Sequence, residues 1–202
     1  MDTKEQIVKV AEGLFLKYGI RTVTMDDVAR ELSISKKTIY QYFKDKTEIV
    51  VMVTRNHMEK EKKQIEEIQL HAENIIDELV NMIKCMKENH QKTNLSVFFD
   101  LKKYYKEAWQ VYLDYKSKVF YKSILTSLRR GVREGMYRRD INPEILATMR
   151  LELIQLTFND DIFPRDRFDF PEVHQQLSEH FLYGILTDKG KELLKNQLNK
   201  NF

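Results

Sequence analysis

Residues 24–43 read TMDDVARELSISKKTIYQYF, and this stretch decides the fold. Thr24 has the hydroxyl of a helix N-cap, and Asp26 and Asp27 follow where acidic side chains favour the positive end of a helix. Val28, Ala29 and Leu32 supply one apolar side for a short helix. A break of a few residues leads to Ser35, a second N-cap. The helix it opens places Ile39 and Phe43 four residues apart on an inward face, with Tyr40, Gln41 and Tyr42 turned elsewhere. Two short helices across a tight turn, the second one basic and aromatic on its outer side, predict a helix-turn-helix. Such a helix fits the major groove of DNA, where its N-terminal side chains meet base edges and flanking lysines and hydroxyls meet phosphates.

Working outward, Ile7, Ala11, Leu14, Phe15 and Tyr18 repeat with the helical period and end at Gly19, which suits a helix stop. Gly13 interrupts that helix without an evident reason. On the other side, Asp45 and Glu48 have capping-box spacing and open a fourth helix that runs to about Leu70. Net charge over the 202 residues is only +3, too small to argue for nucleic acid. The excess is local: Lys36, Lys37, Lys44 and Lys46 face only Asp45 between Ser33 and Lys46.

The order Ala11, Leu14, Phe15, Gly19, then Thr22, Val23, Thr24, Val28, Ala29, then Ser35, Lys36, Thr38, Ile39, Tyr40, Tyr42, Phe43, Lys46, Ile49 resembles the tetracycline-repressor (TetR) family of bacterial transcriptional regulators. A weaker likeness lies in residues 131–144, GVREGMYRRDINPE, where such regulators end one long helix and begin the next. The resemblance implies an all-α protein. A three-helix helix-turn-helix DNA-binding domain would occupy residues 1–46, and a helical ligand-binding and dimerisation domain residues 47–202, with helix 47–70 connecting them. Carried over by position, the DNA contacts fall on Thr24, Ser35, Lys36, Lys37, Thr38, Tyr40, Gln41, Tyr42 and Lys46. Ser33 and Lys37 depart from the pattern by standing where such sequences often carry glycine. Serine is the costlier residue if the turn needs positive φ, and Lys37 replaces a close backbone approach with a long cation.

Beyond the fourth helix, Ile75, Leu79, Met82, Ile83 and Met86 mark a fifth that ends near His90, followed by a loop at 91–94. Nine of the 22 aromatic residues then crowd into positions 98–121. Aromatic side chains at helical spacing are ordinary core, but in the family this region lines a ligand cavity. The resemblance therefore makes Met82, Met86, Phe98, Phe99, Tyr105, Trp109 and Tyr112 candidates for holding a small hydrophobic or aromatic effector of unknown identity. Ile145, Met149, Leu153 and Leu156 mark one late helix and Val173, Leu177, Phe181 and Ile185 another, around a loop at 158–170. By resemblance, the helices at about 144–158 and 171–187 build a homodimer, which lets two recognition helices reach a palindromic operator on double-stranded DNA.

Several classes are excluded. With 42% hydrophobic and 32% charged residues the chain is globular rather than disordered. The apolar run at 49–53 is far short of the roughly 20 residues that span a bilayer. The start MDTKEQ has no secretory character, and one cysteine, Cys85, permits no internal disulfide, so a cytoplasmic address is expected. The five histidines form no metal-protease pair, and no glycine-rich phosphate loop is present; neither an enzyme nor a cofactor or metal site is expected. The alternative is a helical module that binds a hydrophobic ligand or a protein without specific DNA binding.

Overall fold

The structure is a computed structural model that describes residues 2–92 and 96–201. The order of elements is α1 (Thr3–Tyr18), α2 (Met25–Glu31), α3 (Lys36–Tyr42), α4 (Lys46–His71), α5 (Ile75–Lys92), α6 (Ser96–Tyr104) and α7 (Lys106–Tyr115). A π-helical turn (Lys116–Phe120) leads into α8 (Tyr121–Arg133), followed by α9 (Pro143–Leu156), α10 (Phe170–Ile185) and α11 (Asp188–Asn201). The one β feature among the described residues is an isolated bridge between Tyr137 and Leu186. The fold is all-α, as expected. The fifth helix continues to Lys92, past the predicted end near His90; the rest of the predicted loop, 93–94, lies outside the described residues.

The chain packs as two compact units. One holds Met1–Glu61 with Glu88–Tyr115, the other Lys62–Lys87 with Lys116–Phe202. In the first, Asp2 and Glu5 form a reciprocal capping box that starts α1. At the other end of α1, Gly19 adopts φ 84°, a region that favours glycine. The core gathers Ile7, Ala11 and Phe15 of α1, Val28 of α2, Ile39 and Phe43 around α3, and Ile49, Val50 and Val53 of α4. Leu101 of α6 and Ala108 of α7 are buried in the same core, so the aromatic stretch folds onto the N-terminal helices.

In the second unit, Ile75, Ile76, Val80, Leu128, Tyr137, Ala147, Phe181, Ile185 and Leu194 form the core. Arg130 of α8 organises its polar part. It donates to Glu78 at 3.2 Å, to Glu134 at 2.6 Å, and to the carbonyls of Gln69 and Ala72 at 3.4 and 2.8 Å. Those carbonyls lie at the C-terminal end of α4, where a cation is favoured. The GVREGMYRRDINPE segment ends α8 with Gly135 at φ 73° and starts α9 with the Asn142 side chain accepting from the amides of Glu144 and Ile145. Pro143 occupies the first helical position, where a missing N–H costs nothing.

Candidate functional site

The reading head is built by caps. Thr24 Oγ1 accepts from the Asp27 amide at 3.2 Å, and Asp27 accepts in return from the Thr24 amide at 2.8 Å and hydroxyl at 2.7 Å. The Thr24 hydroxyl and amide together hold the Asp27 carboxyl below the usual carboxylate range. Ser35 Oγ accepts from the Thr38 amide at 3.0 Å and starts α3. Between them the turn closes through Ile34 N–H to Ala29 O at 3.0 Å, with Ser33 at φ 54°. The turn does require the left-handed region, and serine occupies it where glycine would be unstrained. Lys36 Nζ reaches Asp26 at 2.7 Å, tying the start of α3 to the first turn of α2; this pair raises the lysine above its ordinary value.

Seven of the nine proposed DNA contacts, Thr24, Ser35, Lys36, Lys37, Tyr40, Gln41 and Tyr42, are exposed. Thr38 is half-buried, its hydroxyl 2.8 Å from that of Ser35. Tyr40 and Tyr42 are 48% and 41% exposed, although Ile39 and Phe43 beside them are at 0% and 1%. One side of α3 is thus anchored and the other presented. Lys46 is placed differently: half-buried, its ammonium donates to the carbonyls of Ile20 and Val23, each at 2.5 Å. Burial lowers its pKa. The predicted capping box at the start of α4 forms only in part. Asp45 accepts from the Glu48 amide at 3.0 Å, whereas Glu48 reaches the amide of Lys44.

The effector candidates divide between the two units. Phe98 packs edge-on against Trp109 and Tyr112, each at 5.1 Å between centroids, and Trp109 stacks on Tyr112 at 4.9 Å. Tyr105 and Trp109 rest against the core of the first unit, and Phe99 is half-buried. Met82 and Met86 are half-buried on the part of α5 that belongs to the second unit.

Residues 7–53 match the family model described as bacterial regulatory proteins, tetR family. The chain is 27% identical over 168 residues to the HTH-type transcriptional regulator YvaF of Bacillus subtilis, covering 82% of this chain and 87% of that one. The chain is a DNA-binding transcriptional regulator whose residues 7–53 match the tetR family. Solved structures agree in fold. Escherichia coli NemR in its reduced form gives a TM-score of 0.71 at 16% identity, over 92% of this chain and 98% of NemR. A transcriptional regulator from Saccharomonospora viridis in complex with choline gives 0.69 at 20% identity, over 91% and 97%. The family match and the likeness to YvaF favour a DNA-binding regulator over a helical module without specific DNA binding.

Two features of this regulator escape a reading of the sequence. The first is Asp26, whose pairing with Lys36 needs the turn to be folded. The second lies on α4, where His57 Nδ1 stands 3.4 Å from Glu12 of α1 and Lys60 Nζ donates to the same carboxylate at 2.6 Å. Glu12 is only 8% exposed. Its hydrogen bond to His57 holds the carboxyl down and raises the imidazole. Partners 45 and 48 residues apart leave no local signal. Among the described residues no helix is long and apolar enough to cross a membrane, and no group of three or more His, Cys, Asp or Glu side chains could hold a metal ion.

Proposed function

We propose that this regulator is a cytoplasmic, homodimeric repressor that leaves a palindromic operator when a small hydrophobic or aromatic effector binds. In this reading residues 1–46 read DNA and residues 47–202 bind the effector and dimerise. The observation that carries it is the two-sided character of α3, anchored by Ile39 and Phe43 while Tyr40 and Tyr42 stand exposed. Thr24, Ser35, Lys36, Lys37, Thr38, Tyr40, Gln41 and Tyr42 then supply contacts to phosphates and base edges. Lys46 adds positive potential from behind the loop rather than a side chain reaching outward.

Dimerisation is supported by α9, which leaves Ile145 at 64% and Met149 at 42% exposed, and by Tyr183 of α10 at 61%. These are large apolar surfaces for one chain to leave in water. The Phe98, Trp109 and Tyr112 cluster supports the effector reading, since flat π faces suit an aromatic or greasy molecule, with Phe99, Tyr105, Met82 and Met86 as further candidates.

The test is selection of bound sites from a random duplex pool, followed by titration at two salt concentrations. A palindromic consensus with tight, salt-sensitive binding is expected. Lys36→Ala and Lys37→Ala should each flatten the salt dependence by about one unit of slope. A well-folded, ligand-stripped sample that enriches no sequence would overturn the proposal.

A further inference from the structure

The loop of residues 19–24, between α1 and α2, is gripped from two sides. From α4, Lys46 donates to the carbonyls of Ile20 and Val23. From α6, far away in sequence, Asp100 Oδ2 accepts the backbone N–H of Arg21 at 3.0 Å. The Arg21 guanidinium lies over the ring of Tyr104, 4.6 Å from its centroid, and donates to the phenolic oxygen at 3.1 Å. Gly19 admits this approach: a Cβ there would sit 2.5 Å from Ser96 Oγ of α6. The far end of the loop is Thr24, which caps α2, and Asp26 of α2 holds Lys36 of α3. A continuous series of short contacts therefore runs from α6 to the start of the recognition helix.

We infer that Asp100 and Tyr104 are positioning residues for DNA reading, holding the loop of residues 19–24 so that α2 and α3 meet a major groove in register. The inference rests on the DNA-binding function. Asp100 is 8% exposed and anionic, so it has neither the access nor the charge to touch a phosphate itself. Any effect it has on DNA must pass through the groups it holds, the Arg21 amide by hydrogen bond and the Lys46 ammonium by its field. Tyr104 holds the Arg21 side chain by two interactions at once, a cation–π contact and a hydrogen bond.

The distinction between positioning and plain structural support is measurable. Loss of positioning weakens binding to the right sequence more than to any other, because base-edge contacts need register and phosphate contacts tolerate its absence. The experiment uses the full-length protein, the duplex recovered by selection, and an unrelated duplex of equal length, each titrated at two salt concentrations. Asp100→Ala should lose about tenfold in affinity for the selected duplex, the size of one hydrogen bond to a charged group. Its affinity for the unrelated duplex and its salt slope should stay those of the wild type.

Asp100→Asn keeps an oxygen that can accept the Arg21 amide and should recover most of the lost affinity. Tyr104→Phe, at a 47% exposed position where folding is not at risk, keeps the ring and loses the hydroxyl. It should lose specific affinity by a smaller factor. If Asp100→Ala does not fold, Asp100→Asn and Tyr104→Phe decide the matter by the same ratio. Undiminished specific binding by a folded Asp100→Ala, or by Tyr104→Phe where it must decide, would overturn the inference. So would equal losses on both duplexes. A wild-type protein that binds no duplex at all would overturn the DNA-reading conclusion and this inference with it.

Discussion

Helices α9 and α10 both carry apolar residues at helical spacing and bury them differently. On α10, Val173, Phe181 and Ile185 are 7%, 6% and 3% exposed and lie inward. On α9, Ile145 and Met149 open the corresponding series yet stand in solvent, while Ala147 and Leu151, each two residues further on, take the inward positions. Periodicity reports that a face is to be covered and is silent about what covers it. In α10 the cover is the chain's own core. In α9 the small Ala147 takes the place in that core, and the larger Ile145 and Met149 remain for another surface.

That contrast is sharpest in Phe181→Ala. The ring is buried, and Arg150 lies over it at 5.4 Å, so truncation leaves a cavity and takes the aromatic face from a cation that keeps only its hydrogen bond to Ser178. A loss of about 3–5 kcal/mol is expected in urea unfolding, independent of protein concentration. Burial also lowers the Arg150 guanidinium to about 10, so a cation left without its aromatic neighbour is a further cost. Ile145→Asp combined with Met149→Lys should behave in the opposite way. Within the chain these positions are already wet, so the stability of a monomer should hardly change. A dimer that buries them should weaken by about 1.5–3 kcal/mol for each side chain, visible as dissociation in light scattering and as loss of tight operator binding. Destabilisation of the monomer by this pair would break the comparison by showing that α9 serves its own core.

The same difference separates what was legible in the sequence from what was not. Residues 24–49 were readable because each signal there is local. Thr24 and Ser35 cap helices that begin one residue later, and Ile39 and Phe43 share a face by spacing alone. Gly19 and Ser33 both take positive φ, one with the residue suited to it and one without. Lys46 shows where local reasoning ends: position alone carries it over as a DNA contact, and only the folded loop shows Ile20 and Val23 offering carbonyls to it. Asp100 is 79 residues from the amide it accepts and was invisible for that reason. The aromatic stretch was recognised as unusual, but its joining the N-terminal core through Leu101 and Ala108 is a tertiary fact that no window of sequence contains.

Long-range ion pairs extend the comparison to pH. In the first unit, Glu12 and His57 titrate from ordinary values of 4.5 and 6.5, the carboxyl held down and the imidazole raised. The lowered Glu12 stabilises the fold above about pH 4.5, and that contribution is lost as pH falls through its folded value. The raised His57 stabilises below about pH 6.5 and its contribution is lost as pH rises through the folded value. Their joint contribution is therefore largest between the two. In the second unit Arg130 keeps its charge throughout this range, so its pairs with Glu78 and Glu134 add no alkaline loss. Unfolding at pH 5.5 and 8.5 should show wild type losing more stability on the alkaline side than His57→Gln. Equal losses would mean that the pair holds nothing together. Glu61, pushed up by burial and held down by the charge of His57, should lose more on the alkaline side in His57→Gln, so the difference between the two proteins is a lower bound on what the pair contributes.

The smallest effects come from two glycines that look alike in sequence, each inside a helix. At Gly131 of α8 a Cβ would lie 2.1 Å from Cδ2 of the Tyr137 ring, which is itself 4% exposed and has no room to withdraw. Gly131→Ala should cost about 1–3 kcal/mol by overpacking. At Gly13 of α1 a Cβ would meet nothing within 4 Å, and its φ is not in the left-handed region. Nothing in the fold therefore requires glycine there. Gly13→Ala should raise stability by about 0.4–1 kcal/mol, since alanine loses less backbone entropy on entering a helix. Paired melting curves of the two variants decide the point. A Gly13→Ala protein that melts below wild type would show that this face of α1 is covered by something the single chain does not contain, as the exposed face of α9 is held to be.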